Sequence, residues 1–299
     1  MNARHAALLT ALALTIAACA GGSNPGQSGS ATVAAMPDTA TMTVQERVKA
    51  GRALWEEKCR TVAGEKIYRT VENVEGILLM KLRRAGPSEE LSDPNWPGAA
   101  FATERTDGAY IETFLGYEHS SDPRGLPVSK ERRGYVTAEF NPRDASNLPG
   151  YRWVDVVDEQ DGKRWRYTSF RKVVGQKDET AFNVQLELTK NPNYDLNIYR
   201  WTLDKKPALD PAPRYGVTFE DHVIPEERDL GVASSTVKVI DLQTNEVMGE
   251  YTPYVVSGAL SKYNPTLWLT AYGCKFKGDA GATTRKFVDQ ILIPKKLEN

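Results

Sequence analysis

Tyr151-Arg-Trp-Val-Asp-Val-Val-Asp-Glu-Gln-Asp-Gly-Lys-Arg-Trp-Arg-Tyr-Thr-Ser-Phe-Arg-Lys-Val173 decides the fold class. Two runs rich in aromatic and β-branched residues flank Asp161-Gly162, a dipeptide suited to a two-residue hairpin turn, so residues 151–157 and 163–173 read as paired antiparallel strands. The pattern repeats downstream. Residues 236–240 and 246–251 enclose the turn-like Asp241-Leu242-Gln243-Thr244-Asn245. Residues 181–188 alternate Phe182, Val184, Leu186 and Leu188 with polar positions, as a half-buried strand would. Residues 197–203, 215–219 and 266–272 add further strands. Strands separated by turns rather than by long helices predict an α+β fold that is mainly antiparallel β.

Upstream, Thr43-Val44-Gln45-Glu46 forms a capping box, and Val44, Val48, Leu54 and Trp55 continue a helical stripe to about Lys58. This predicts one N-terminal helix packed on the sheet. Residues 66–71 and 76–82 read as two strands around a turn at Glu72-Asn73. Pro- and Gly-bearing stretches at 84–107, 117–133 and 141–150 predict long irregular loops. Near the end, Thr283 is placed to cap a short helix carrying Phe287, Val288 and Ile291 before a strand at 291–293; a single strand is the alternative. Residues 204–213 are suited to a domain boundary, but a link between Cys59 and Cys274 across them favours one domain over 43–299.

The first 18 residues have another character. Arg4 precedes an apolar run at residues 6–18, too short for a bilayer, which needs about 20 helical residues. Ile16-Ala17-Ala18-Cys19 resembles a bacterial lipobox, which implies removal of residues 1–18 and acylation of Cys19. An ordinary signal peptide with an incidental cysteine is the alternative. Residues 20–42 lack aromatics and are dominated by Gly, Ser, Ala, Thr and Pro; such a tether spans about 25–30 Å. Two or three acyl chains would hold the body stably at a membrane, and Ala20 after the modified cysteine implies the outer membrane, facing the periplasm. In that oxidising compartment Cys59 and Cys274 are most simply one disulfide. Lys58-Cys59, residues 64–71 and residues 239–247 resemble segments of uncharacterised proteobacterial envelope proteins, a resemblance that implies no activity.

Reactive motifs are scarce. The body carries His119 after Glu118 and His222 after Asp221, so His119, His222 and Asp221 are the best candidates for a metal site. Neighbours on a strand face opposite sides, however, and no chelating spacing appears, so no metal or other cofactor is expected. Ser257 and the pair Ser234-Ser235 offer hydroxyls without a nucleophile elbow, and no catalytic residue is assigned. Arg and aromatic residues interleave at 151–153, 164–167 and 199–201, as on a half-exposed sheet face. A net charge of −1 speaks against a nucleic-acid partner. The expectation is a lipid-anchored scaffold or binding protein with an envelope protein as partner; an envelope hydrolase with a carboxylate-based site and a small-ligand-binding lipoprotein are the alternatives.

Overall fold

The computed structural model describes residues 38–115, 150–260, 264–274 and 282–295, and these described residues cluster as one compact unit. Cys19, the tether up to residue 37, His119 and the stretch 116–149 lie outside the described residues. The fold is mixed α/β and rich in strands.

Helix α1 (Val44–Thr61) starts at the expected capping box: the Thr43 amide donates to Glu46 Oε2 at 2.7 Å and the Glu46 amide to Thr43 Oγ1 at 3.3 Å. Strands β1 (Gly64–Ile67), β2 (Val71–Val74) and β3 (Gly76–Leu79) follow. The expected first strand is therefore divided, and Glu72-Asn73 lies within β2 instead of forming a turn, with Asn73 at φ 61°. Asn tolerates that left-handed conformation better than most residues. Helix α2 (Asp107–Phe114) precedes β4 (Trp153–Val157) and β5 (Arg164–Gln176). These two strands pair antiparallel as expected, but through a longer loop. Asp158 N donates to Lys163 O at 2.8 Å, and Gly162 takes φ 67° inside the loop.

Residues 182–190 overturn the period-two reading: they form helix α3 (Phe182–Lys190) between β5 and β6 (Asn197–Pro207). Only Val184 of this helix is buried, and Phe182 is 80% exposed. The long β5–β6 ladder already uses both strands' facing hydrogen bonds, so the connecting chain satisfies its own backbone locally, as a helix does. Then come β7 (Tyr215–His222), α4 (Pro225–Asp229), β8 (Val232–Asp241), β9 (Glu246–Thr252), β10 (Tyr254–Val256), β11 (Tyr272–Gly273), α5 (Thr283–Val288) and β12 (Leu292–Pro294). The expected strand at 266–272 shrinks to β11. Leu267 and Trp268 are adjacent and both buried, which an alternating strand does not permit, and turns at Thr266–Leu269 and Trp268–Ala271 place them. Thr283 begins α5 but does not cap it; Ala282 holds that position.

The main sheet runs β1-β9-β8-β7-β3-β4-β5-β6, with β10 joining β8 and β11. Most ladders are antiparallel, but β3 is parallel to both neighbours, β4 and β7, and β12 pairs parallel with β2. Parallel strands are normally buried on both faces and read as continuous apolar runs. Gly76-Ile-Leu-Leu79 has that form, and Ile77, Leu78 and Leu79 are all buried. α2 and α5 supply Tyr110, Ile111, Phe114, Phe287 and Val288 to the core cluster that contains Ile77, Leu79, Val154 and Val237.

α1 sits on a smaller cluster of Val232, Tyr254 and Val256 through Leu54 and Trp55. Cys59 and Cys274 are disulfide-bonded across 215 residues with Cα atoms 5.5 Å apart. Among the described residues no helix is long and apolar enough to cross a membrane.

Candidate functional site

The site begins where β3 leaves the core. The run continues through Met80, Lys81 and Leu82 to Arg83, which sits beside β7 and is almost wholly buried. A buried cation is costly unless paired and hydrogen-bonded. Here Arg83 Nη1 donates to Asp221 Oδ1 and Oδ2 at 3.0 and 3.1 Å, and Nη2 lies 3.4 Å from Ser235 Oγ. That hydroxyl lies 2.7 Å from Asp221 Oδ1 and 2.9 Å from Glu220 O, one of which takes its proton. The Phe101 and Phe219 rings sandwich the guanidinium, with centroids at 4.0 and 3.8 Å.

The chain from 84 to 106 leaves this anchor and returns to it. Asp107, at φ 51°, donates its amide to Arg83 O at 2.7 Å and accepts from Ala85 N at 3.0 Å, closing the base of the loop. Short turns at Ser88–Ser92 and Pro97–Phe101 fold the loop into a wall. Between that wall and β7 lies a cleft of about 450 Å³ bordered by Arg83, Arg84, Glu90, Trp96, Glu104 and Asp221. Two glycines allow close packing in the wall. A Cβ on Gly98 would lie 2.7 Å from the Trp96 ring, and one on Gly86 would lie 1.8 Å from Glu90 Oε2. Glu104 is buried, and its Oε2 accepts from both the amide and the hydroxyl of Thr284 at 3.1 Å, which ties the loop to α5.

On the other side of Phe101 is a second cavity of about 440 Å³, walled by Tyr251, Tyr254, Trp268 and Thr283. Trp268 is fixed by its Nε1 bond to Asp93 O at 2.7 Å and by the guanidinium of Arg228, 5.1 Å from its ring. Arg228 is itself fully buried, and burial lowers its pKa to about 10.

Of the residues singled out in sequence, Asp221 reaches the cleft and His222 does not. Adjacent on β7, they face opposite sides: His222 Nδ1 meets Ser234 Oγ at 3.0 Å and its Nε2 meets Thr236 Oγ1 at 3.2 Å. Both ring nitrogens are thus engaged by hydroxyls, and among the described residues no three His, Cys, Asp or Glu side chains gather as a metal site would require. Ser257 is buried, and its oxygen accepts from Ala259 N at 3.3 Å. Ser234 and Ser235 serve His222 and Asp221 as described.

The described Arg and aromatic side chains of β4 and β5 are engaged with neighbours on the sheet. Arg166 makes a two-pronged pair with Asp155 at 2.7 and 3.0 Å and lies 5.0 Å from the Trp153 ring, while Lys205 lies 4.3 Å from Trp165. Sequence reasoning missed Arg83, Trp96, Phe101 and Glu104. The usable signal was the apolar run Ile77–Met80, which is followed three residues later by Arg83. No protein-family model matches the chain, and no significant match to a curated protein or a solved structure was found.

Proposed function

We propose that the chain is a lipid-anchored protein of the bacterial cell envelope that binds a small polar ligand in the cleft beside Arg83. The carrying observation is the cleft itself: about 450 Å³, within the size range of small-molecule sites, with charges of both signs around an aromatic ring. Arg84 and Glu90 offer opposite charges, and Trp96 offers a ring face. That combination suits a zwitterion with an apolar portion, such as an amino acid or a short peptide. The carboxylates nearest Arg83 are engaged in holding the wall: Asp221 accepts from Arg83, and Glu104 accepts from Thr284. This favours binding over turnover.

A carboxylate-based hydrolase is the second reading, favoured by Glu90, Glu104 and Asp221 bordering one cleft. An envelope protein partner would find exposed apolar side chains at Val173, Val174, Phe182 and Ile198, around the β5–β6 arm and α3.

The ligand test is a thermal-shift series with free amino acids and dipeptides on full-length protein. At least one should raise the melting temperature, and Trp96→Ala and Glu90→Gln should each abolish the shift. Hydrolysis of a dipeptide lost in Glu104→Gln would favour the hydrolase instead. For the anchor, mass spectrometry should find an acylated Cys19 at the N-terminus, and Cys19→Ser should release the protein from membranes. Unmodified chain in the soluble fraction would contradict the anchor.

A further inference from the structure

The second cavity goes beyond this reading, because it lies on the far side of Phe101 and has a different chemistry. In a chain with 26% charged residues, none of the described residues bordering this 440 Å³ space is charged. It is bordered by the rings of Phe101, Tyr251, Tyr254 and Trp268, by Ala99 and Ala100, and by Thr103 and Thr283. Burial pushes the Tyr251 phenol up to about 12, so it is neutral at any ordinary pH.

The walls are fixed before any ligand arrives. Phe101 is held against Arg83 and packs T-shaped with Tyr251, ring centroids 6.4 Å apart. The carbonyl of Tyr254 accepts from Trp55 Nε1 and from Cys274 N, both at 3.2 Å, so the strand behind the cavity is pinned to α1 and to the disulfide. A rigid space loses little entropy on binding. An apolar cavity of about 150 Å³ suffices for benzene, so 440 Å³ holds two fused rings and a substituent. A charged group brought here would find no counter-charge among the described residues that border the space.

The geometry points to a second binding site, between the Pro97–Phe101 turn and β9–β11, for an uncharged, ring-bearing molecule of about two fused rings.

Two probes with the same anilinonaphthalene skeleton test it: neutral N-phenyl-1-naphthylamine and anionic 8-anilino-1-naphthalenesulfonate. Fluorescence titration of the full-length protein should show saturable binding of one neutral probe per chain, at least tenfold tighter than the sulfonate. Thr103→Trp and Ala271→Trp fill the space from opposite sides, and each should weaken the neutral probe at least tenfold. Thr103 is exposed, so that variant keeps the test valid if Ala271→Trp fails to fold. The inference is overturned if the neutral probe does not saturate at one per chain, if the sulfonate binds as tightly, or if folded Thr103→Trp binds like the parent.

Discussion

The two cavities on either side of Phe101 have nearly the same volume, about 450 and 440 Å³, yet opposite chemistry. One is bordered by five charged side chains; the other by none among the described residues. Phe101 and Ala102 border both, and the Phe101 ring lies on the Arg83 guanidinium and packs T-shaped with Tyr251. Polarity in this molecule is therefore set by where a buried cation is placed, not by overall composition. Arg83 draws Asp221, Ser235 and Phe219 to its side, and the opposite side is left to rings and alanines.

The largest expected effect comes from removing that cation. Arg83→Met leaves Asp221 without its partner and should cost about 3–5 kcal/mol in urea unfolding, the usual cost of breaking a buried pair. Adding Asp221→Leu should restore much of the loss, because replacing both charges by apolar groups is often neutral. If the single variant is as stable as the parent, Arg83 does not organise the cleft.

Next is the disulfide. Cys274→Ser should cost about 2–4 kcal/mol and should loosen the uncharged cavity, which Cys274 borders, more than the charged cleft. Hydrogen exchange should then rise in Tyr272–Gly273 while the Ala85 and Asp107 amides stay protected. Equal loosening of both cavities would erase the contrast.

Smaller still is Gly98→Ala. Its Cβ would meet the Trp96 ring, which must move, at about 1–3 kcal/mol. Binding in the charged cleft should fall while the neutral probe is unaffected.

Asp241 provides a control remote from both cavities. Hydrogen bonds from Arg214, with Arg69 adding to them, hold its carboxyl well below the usual range. A depressed folded pKa gives stability that is present above the unfolded value of about 3.9 and is lost as pH falls toward the folded one. Asp241→Asn should therefore be less stable than the parent near neutrality, and the gap should close below about pH 4. Neither cavity's ligand preference should change.

Much of this architecture was legible in the sequence. The capping box at Thr43, the β4–β5 and β8–β9 hairpins and the pairing of Cys59 with Cys274 rest on local or arithmetic signals, and these survive in the fold. What was hidden depends on partners far along the chain. Ile77 to Leu79 announce burial but not direction, and a parallel β3 is known only once β4 and β7 lie beside it. The alternation of Phe182, Val184, Leu186 and Leu188 suggested a strand, yet no neighbouring strand was free to pair with it. Leu267 and Trp268, both apolar, resemble strand residues in sequence, because their turns depend on Asn264, whose Oδ1 accepts from Thr266 N at 3.1 Å. The cleft was least legible of all: Arg83 and Asp221 are 138 residues apart, and no spacing rule joins them.

Phe101 carries the contrast between the cavities, so Phe101→Leu tests it most directly. The measurement is the affinity ratio of the neutral to the sulfonated anilinonaphthalene probe, taken on folded variant with the Cys59–Cys274 bond intact. A leucine keeps the volume roughly but removes the ring face that covers Arg83, so the ratio should fall from at least tenfold toward one. An unchanged ratio would contradict the account, because the two cavities would then keep their separate chemistry without the ring that divides them.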